Sequence, residues 1–512
     1  MIYLKKKYLI IASLIYIYLP IILFLFGWTK FYFAILCCTV LGYGFKCLWN
    51  DYMQNNSDED IGISGLAFGF LVIFFCVIGY YAGWGNFVNQ PGDWYKHNAV
   101  MSDLVNKPWP VYYVNENEHS MLTYYIAQYL LPAFIGKIFH SFRVAEVINF
   151  IWAEAGLLIV YLNLIRIIKV RSESMQLFAS VILIFFSGPL LLAQKLVEII
   201  YPELESMAAV YHWFSEGEIL LQYSSNYVML SWVFPQTLVI WLITLLFLEH
   251  KEYIQDYIVL MLPGILFGTL SFLGLIPLAF GVAIEQLVKE KHLKQWLKKV
   301  FSPSNLLSLC SFGGIFILYF YGNIISEKPD NISFQMINYE GYWGKYFIFC
   351  AIMVLSYAEC ILSKNLKNVL YYLSVAILII LPLFKMGISN DLVMRCSIPA
   401  LFLLMFYIIS YFYDYSESKV YNLKNKNGNK LVVYVLLVLL FIGSIHPMQE
   451  FYDAVITDKF VALGEERNFG TLQNFANRSL EVGEDLRYNY YSYDIENNLF
   501  YNYIARSKDN LK

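Results

Sequence analysis

The stretch Met121-Leu122-Thr123-Tyr124-Tyr125-Ile126-Ala127-Gln128-Tyr129-Leu130-Leu131-Pro132-Ala133-Phe134-Ile135-Gly136-Lys137-Ile138-Phe139-His140 decides the fold. It is long and apolar enough to cross a bilayer, whose hydrocarbon core of roughly 30 Å takes about 20 helical residues. If it crossed, the basic cluster Arg166, Lys169 and Arg171 would lie outside and every later loop would invert. Short cytoplasmic loops collect Lys and Arg. With this stretch out of the membrane and the N-terminus inside, Lys5 to Lys7, Lys46 and the Arg166 to Arg171 cluster all fall on the cytoplasmic side. Lys289 to Lys299, Lys364 with Lys367, and Lys419 to Lys430 join them there. The charge pattern therefore predicts a helix lying along the outer interface, with Tyr124, Tyr125 and Tyr129 at headgroup level and Lys137 snorkelling. An ordinary span is the competing reading.

Outward from this stretch the chain is mostly apolar. Of 512 residues 59% are hydrophobic, 18% aromatic and only 15% charged, and the mean hydropathy is +0.53. Soluble domains carry about a quarter of their residues as charged side chains, so an ordinary cytosolic enzyme is excluded. Span-length windows cover Tyr8 to Gly27, Phe31 to Trp49, Ile61 to Trp84, Arg143 to Arg166, Met175 to Ala193, Tyr227 to Leu248 and Ile254 to Leu270. Further windows are Phe272 to Val288, Asn305 to Gly322, Tyr346 to Leu362, Asn368 to Phe384, Cys396 to Tyr413 and Leu431 to His446. The expectation is an all-α polytopic membrane protein with about 13 transmembrane helices, placed in the cell membrane. Residues 1–60 form extra N-terminal spans, 61–446 the core, and 447–512 an extracytoplasmic tail. A net charge of -3 without a basic stripe gives no footprint for nucleic acid. The eight cysteines lie in or beside apolar segments and read as small core hydrophobes.

Polar sequence then concentrates on the outer face, in loops 85–142, 194–226, 323–345 and 385–395 and in the tail, whose Tyr488 to Tyr503 stretch can fold back on them. In the first loop Pro91 and Gly92 end the third span sharply just before Asp93. Asp93, Lys96, His97 and Asn98 share one face if a short helix follows, and the loop continues to Asp103 and His119. A carboxylate there can take a proton from an acceptor hydroxyl while Lys96 or His97 contacts a phosphate. Asp93 can equally cap the helix beginning at Trp94. In the last loop Asn390, Asp391 and Arg395 open a helix, either binding a lipid-linked phosphate or forming an ordinary cap with a snorkelling Arg395. Tyr211 to Asn226 mixes aromatic rings with acids and amides, which suits a sugar or an interfacial belt. His212 and Glu216, at i, i+4, leave room for a divalent cation or form a surface pair. Glu154 is deep in a span and must pair or line a cavity. The chain contains no nucleotide-binding loop, dinucleotide fingerprint, HExxH or CxxC pattern.

The first outer loop, with Asp93 just past a span, the Leu122-x-Tyr124-Tyr125 helix ending near Gly136-Lys137, and a span from Arg143 into a basic cluster, resembles GT-C superfamily glycosyltransferases. The likeness is to the protein O-mannosyltransferase and aminoarabinose transferase branch. It covers roughly Ile61 to Arg171. The resemblance implies a polyprenyl-phosphate-linked sugar donor, an envelope glycan, lipid or protein acceptor, and Asp93 as catalytic base, and in that branch the Tyr-Tyr helix lies along the membrane. It departs from the branch in having Trp94 where an Asp-Glu pair is usual, Ser120-Met121 in place of Pro-Pro, and a pair of extra spans ahead of the loop. On this reading Asp93 is catalytic, while Lys96, His97, Asp103, His119, Tyr124, Asn390, Asp391 and Arg395 bind substrate. A polysaccharide polymerase or ligase is a second reading, opposed by Arg-poor outer loops. A lipid-linked glycan transporter is a third; it would need internal repeats and broken helices at midplane.

Overall fold

The computed structural model describes residues 2–54, 60–88, 90, 93–114, 119–200, 214–216, 219–324, 334–337, 342–387, 390–420, 430–457, 471–473, 489–492 and 498–506. Among these, eight helices are long and apolar enough to cross a membrane, or nine if one bent pair counts as a single span. The protein is a mostly helical, polytopic membrane protein. In chain order the elements that frame the site are α1 (Lys6–Trp28), α2 (Phe31–Gln54), α3 (Gly65–Tyr81), α4 (Trp94–Asn106), α5 (Ala127–Ile138) and α6 (Phe142–Ile168). They continue with α7 (Glu173–Phe185), α8 (Leu190–Ile200), α9 (Asn226–Trp232) and α10 (Phe234–His250). Four short strands join them: β1 (Ile2–Leu4), β2 (Ile61–Ile63), β3 (Tyr112–Val114) and β4 (His119–Leu122). Later spans include Thr269–Glu290, Leu293–Asn323, Tyr342–Asn365, Ile398–Glu417 and Lys430–Ile456.

Several expected spans are shorter or broken, each for a local reason. Ile61 to Ile63 is not helix but strand β2, paired antiparallel with β1; α3 starts only after Ser64, whose Oγ accepts from the Ala67 N–H at 3.1 Å. The Met175 to Ala193 window bends by 47° between α7 and α8, where Gly188 and Pro189 remove side-chain packing and a backbone donor. The Tyr227 to Leu248 window breaks at Val233 (φ -134°, ψ 28°), because Pro235 has no N–H for the Ser231 carbonyl and its ring would strike it. Ile254 to Leu270 is cut into short turns around Pro263 and Gly268.

The decisive stretch also differs from expectation. Its helix begins at Ala127, and α5 has 12 residues, about 18 Å at 1.5 Å per residue, too short to cross. Met121 and Leu122 are strand β4. Tyr124, Tyr125 and Tyr129 are buried at 5%, 7% and 1% exposure, so they face protein and not headgroups. Lys137 does not snorkel: its Nζ donates to the Lys107 carbonyl and lies 5.7 Å from the Trp109 ring centre.

At the centre stands α10, with every side chain from Phe234 to Phe247 buried; a helix apolar all round belongs inside a bundle. At its last turn Glu249 accepts a two-pronged bond from Arg166 of α6 and an ion pair at 3.1 Å from Lys6 of α1. The start of α1 and the end of α6 therefore lie on one face, the face of the basic clusters. The other end of α1 brings Trp28 against Trp109, centroids 5.3 Å apart, so the α4–α5 loop sits on the opposite face. The described tail residues join that loop: Tyr491–Ser492 pairs with β4, and Ala505 bridges to Thr29.

Candidate functional site

The break before α10 builds the site. Ending α9 at Trp232 leaves last-turn carbonyls without helical partners. Side-chain N–H groups take them: Trp84 Nε1 bonds Leu230 O at 2.9 Å, Trp94 Nε1 bonds Ser231 O at 2.9 Å, and His97 Nε2 lies 3.1 Å from Trp232 O. Helix α4 is thus docked by its first turn onto a helix end that Pro235 opened. Because a carbonyl only accepts, His97 Nε2 carries the proton, and Nδ1 accepts from the Tyr129 hydroxyl at 2.6 Å. Burial, reinforced by the Lys96 charge and opposed by Asp93, pushes the imidazole down to about 3. His97 is a neutral, fully bonded positioning residue, and both nitrogens expected to meet substrate are already occupied.

Asp93 precedes α4 but does not cap it with its side chain; Pro91 and Gly92 lie outside the described residues. Its Oδ2 instead accepts from Lys96 Nζ at 2.8 Å. The Asp93 side chain is 33% exposed and that of Lys96 11%, so the carboxylate faces outward over a buried ammonium. Burial pushes the Asp93 carboxyl up, but the Lys96 charge and hydrogen bond, with the Arg395 charge, outweigh it and hold it below the usual carboxylate range. Burial would discharge Lys96, yet Asp93 and the tyrosines Tyr125 and Tyr490 push its pKa above the ordinary lysine value. The pair is charged at neutral pH.

Arg395, some three hundred positions away in sequence, comes to the same place. Its guanidinium is 5.9 Å from the Tyr125 ring centre, and Tyr125 lies against Tyr124 with centroids 3.7 Å apart. Tyr490 of the tail closes the wall at 5.0 Å from Tyr124, and its carbonyl accepts from the Thr123 N–H at 2.8 Å. Arg395 Nη2 pairs with Asp391 Oδ1 at 2.9 Å, while its buried Nε–H has no hydrogen-bond partner among the described residues. The arrangement offers one carboxylate to accept a proton and two cations, one with an unused donor, to hold an anion.

Of the remaining predicted residues, Tyr124 belongs to this wall, and Asp103, Asn390 and His119 lie apart from it. Asp103 is buried and holds Tyr113 OH at 2.8 Å, the Leu472 N–H at 3.0 Å and Lys107 at 3.6 Å, which ties α4 to β3 and the tail. Asn390 is buried in a left-handed turn (φ 49°), accepts from the Met386 N–H and donates to Phe384 O, and does not cap with its side chain. His119 is exposed at the start of β4. Tyr124 is in the wall, its N–H donating to Tyr319 OH at 3.1 Å. His212 lies outside the described residues, and the backbone at Glu216 pairs with Ile219. Tyr223 and Asn226 do not form a sugar platform: they are buried and bond Leu378 O and Leu183 O. Glu154 is half-buried beside Gly79, and its buried Oε1 has no hydrogen-bond partner among the described residues. Sequence reasoning missed Tyr490 as an individual residue, although the tyrosine-rich stretch around it pointed to the tail.

The chain matches no family model, no curated protein and no solved structure.

Proposed function

We propose that the protein is an integral membrane glycosyltransferase of GT-C-like architecture in the cell membrane. It moves a sugar from a polyprenyl-phosphate-linked donor to an envelope glycan, lipid or protein acceptor. The reading takes about 13 crossings, with the shorter apolar helices included, a cytoplasmic N-terminus and an extracytoplasmic tail. One observation carries it: the Asp93–Lys96 pair lies within electrostatic reach of Arg395, beside a tyrosine wall on the face opposite the basic clusters.

In this mechanism Asp93 takes the proton from the acceptor hydroxyl as its oxygen attacks the anomeric carbon. The bond from that carbon to the phosphate oxygen breaks, and the phosphate leaves carrying the electron pair. Arg395 Nε–H and Lys96 Nζ stabilise the charge that grows on it. Before substrate binds, Lys96 weakens Asp93 as a base. An arriving phosphate competes for Lys96 and returns basicity to the carboxylate when it is needed.

The test is purified protein in detergent with a radiolabelled polyprenyl-phosphate sugar and an acceptor extract. Transfer of label is expected, and Asp93→Asn should abolish it without loss of membrane insertion; full transfer by that variant sinks the assignment. The 47° bend between α7 and α8 favours a lipid-linked glycan transporter as second reading, since transporters use broken helices. That reading predicts no covalent product in the same assay.

A further inference from the structure

On the face of the basic clusters a second polar group stands apart from the transfer chemistry. Asp51 near the end of α2, His250 at the end of α10 and Asp256 in the following turn each bring a ligand atom within 4.8 Å of the others. His250 and Asp256 are both 1% exposed. His250 Nε2 lies 3.6 Å from Asp256 Oδ2, too far for a hydrogen bond. That nitrogen and both Asp256 oxygens are buried with no hydrogen-bond partner among the described residues. Two carboxylates and an imidazole converge here, and neither buried Asp256 oxygen is met by a donor within hydrogen-bond reach among the described residues, which is costly for a carboxylate unless something positive sits there.

The surroundings hold these groups in place. The His250 ring lies between Tyr52 and Tyr253, with centroids 4.5 Å and 4.6 Å away. Gln255 Nε2 donates to Asp51 Oδ2 at 3.0 Å. Asn305 fixes the turn by donating to Ile254 O at 2.9 Å and accepting from the Ile258 N–H at 3.0 Å. Ser302 Oγ donates to Gln255 O at 2.6 Å. Metal ligands are characteristically oriented by such outer partners.

We propose that Asp51, His250 and Asp256 bind a divalent transition-metal cation of the zinc class. Three nitrogen and oxygen ligands satisfy such an ion and leave a fourth position to water, reached from the half-buried Asp51 side. Binding draws the three atoms to about 3.4 Å apart, the edge of a tetrahedron with bonds of about 2.1 Å. The ion thereby ties α2 and α10 to the turn that follows. A shared proton between Asp51 and Asp256 is the rival explanation, and it predicts no metal.

The full chain in lipid nanodiscs, stripped with a chelator and reloaded with Zn2+, is measured by elemental analysis after washing. About one Zn2+ per chain is expected, with affinity reduced about tenfold or more in Asp256→Asn and in Asp51→Asn. Zn2+ should raise the melting temperature of the unaltered protein and leave that of Asp256→Asn unmoved. No Zn2+ above a protein-free nanodisc blank overturns the proposal. So does loading equal to that of the unaltered protein in Asp51→Asn, His250→Gln and Asp256→Asn.

Discussion

At the Phe234 end of α10, Asp93 is 33% exposed over Lys96, and Arg395 keeps a buried N–H without a partner among the described residues. At the Glu249 end, Arg166 is wholly buried against a carboxylate that is 11% exposed and also held by Lys6. The two groups are separated by the length of a 17-residue helix, about 25 Å. Both join sequence-distant charges, yet one is closed and the other open. A two-pronged pair sealed by a third charge, Lys6, is committed to the fold. The Asp93 carboxylate, three times as exposed and paired with a single lysine, stays open to a ligand, which is why that group is read as a site and the Arg166 group as a clasp.

The sharpest way to break this contrast is to remove a charge from each end. Glu249→Gln leaves Arg166 buried beside a neutral partner and should cost about 3–5 kcal/mol of stability, read by denaturant unfolding in micelles. Transfer per folded molecule should stay unchanged. Arg395→Ala should do the reverse, reducing transfer about 100- to 1,000-fold with a small change in unfolding. Activity loss in folded Glu249→Gln, or full transfer by Arg395→Ala, would erase the distinction.

Much of the outer group was legible in sequence, and its assembly was not. The i, i+3 spacing of Asp93 and Lys96 and the i, i+4 spacing of Asp391 and Arg395 follow from helix geometry alone, and both pairs form. Their meeting depends on how α4 docks. That docking comes from carbonyls freed by Pro235, a break that spacing marks while its partners Trp84, Trp94 and His97 stay hidden. His97 was misread for this reason: nothing local shows that Trp232 O and Tyr129 OH claim its nitrogens. The charge pattern kept this stretch from crossing and its helix has only 12 residues, but its tyrosines face inward because β4 pairs with a tail strand far along the chain. Span counting was weakest where Pro and Gly cut apolar windows into turns.

His97 sharpens the comparison through pH. Its pKa in the folded protein lies near 3, against about 6.5 in the unfolded chain. The unfolded chain therefore binds the extra proton between these values. The His97 contribution to stability is complete above pH 6.5 and declines as pH falls toward 3, by about 1.4 kcal/mol per unit. His97→Gln should flatten the acid slope of the stability curve relative to the unaltered protein. Parallel slopes would show that the ring is not held neutral by the fold.

The smallest effect tests whether Asp391 matters to the open group. Gly387 has φ +88°, and a Cβ there would meet Asp391 Oδ2 at 2.8 Å. Alanine costs about 1–2 kcal/mol in the left-handed region, and the carboxylate must turn away, releasing Arg395 from its 2.9 Å partner. If Asp391 aims the guanidinium, Gly387→Ala raises KM for the lipid donor about tenfold and leaves kcat little changed, and Asp391→Asn does the same without backbone strain. If Asp391 only neutralises Arg395, both variants free another donor for phosphate and KM falls. The direction of that shift separates a positioning carboxylate from a competing one.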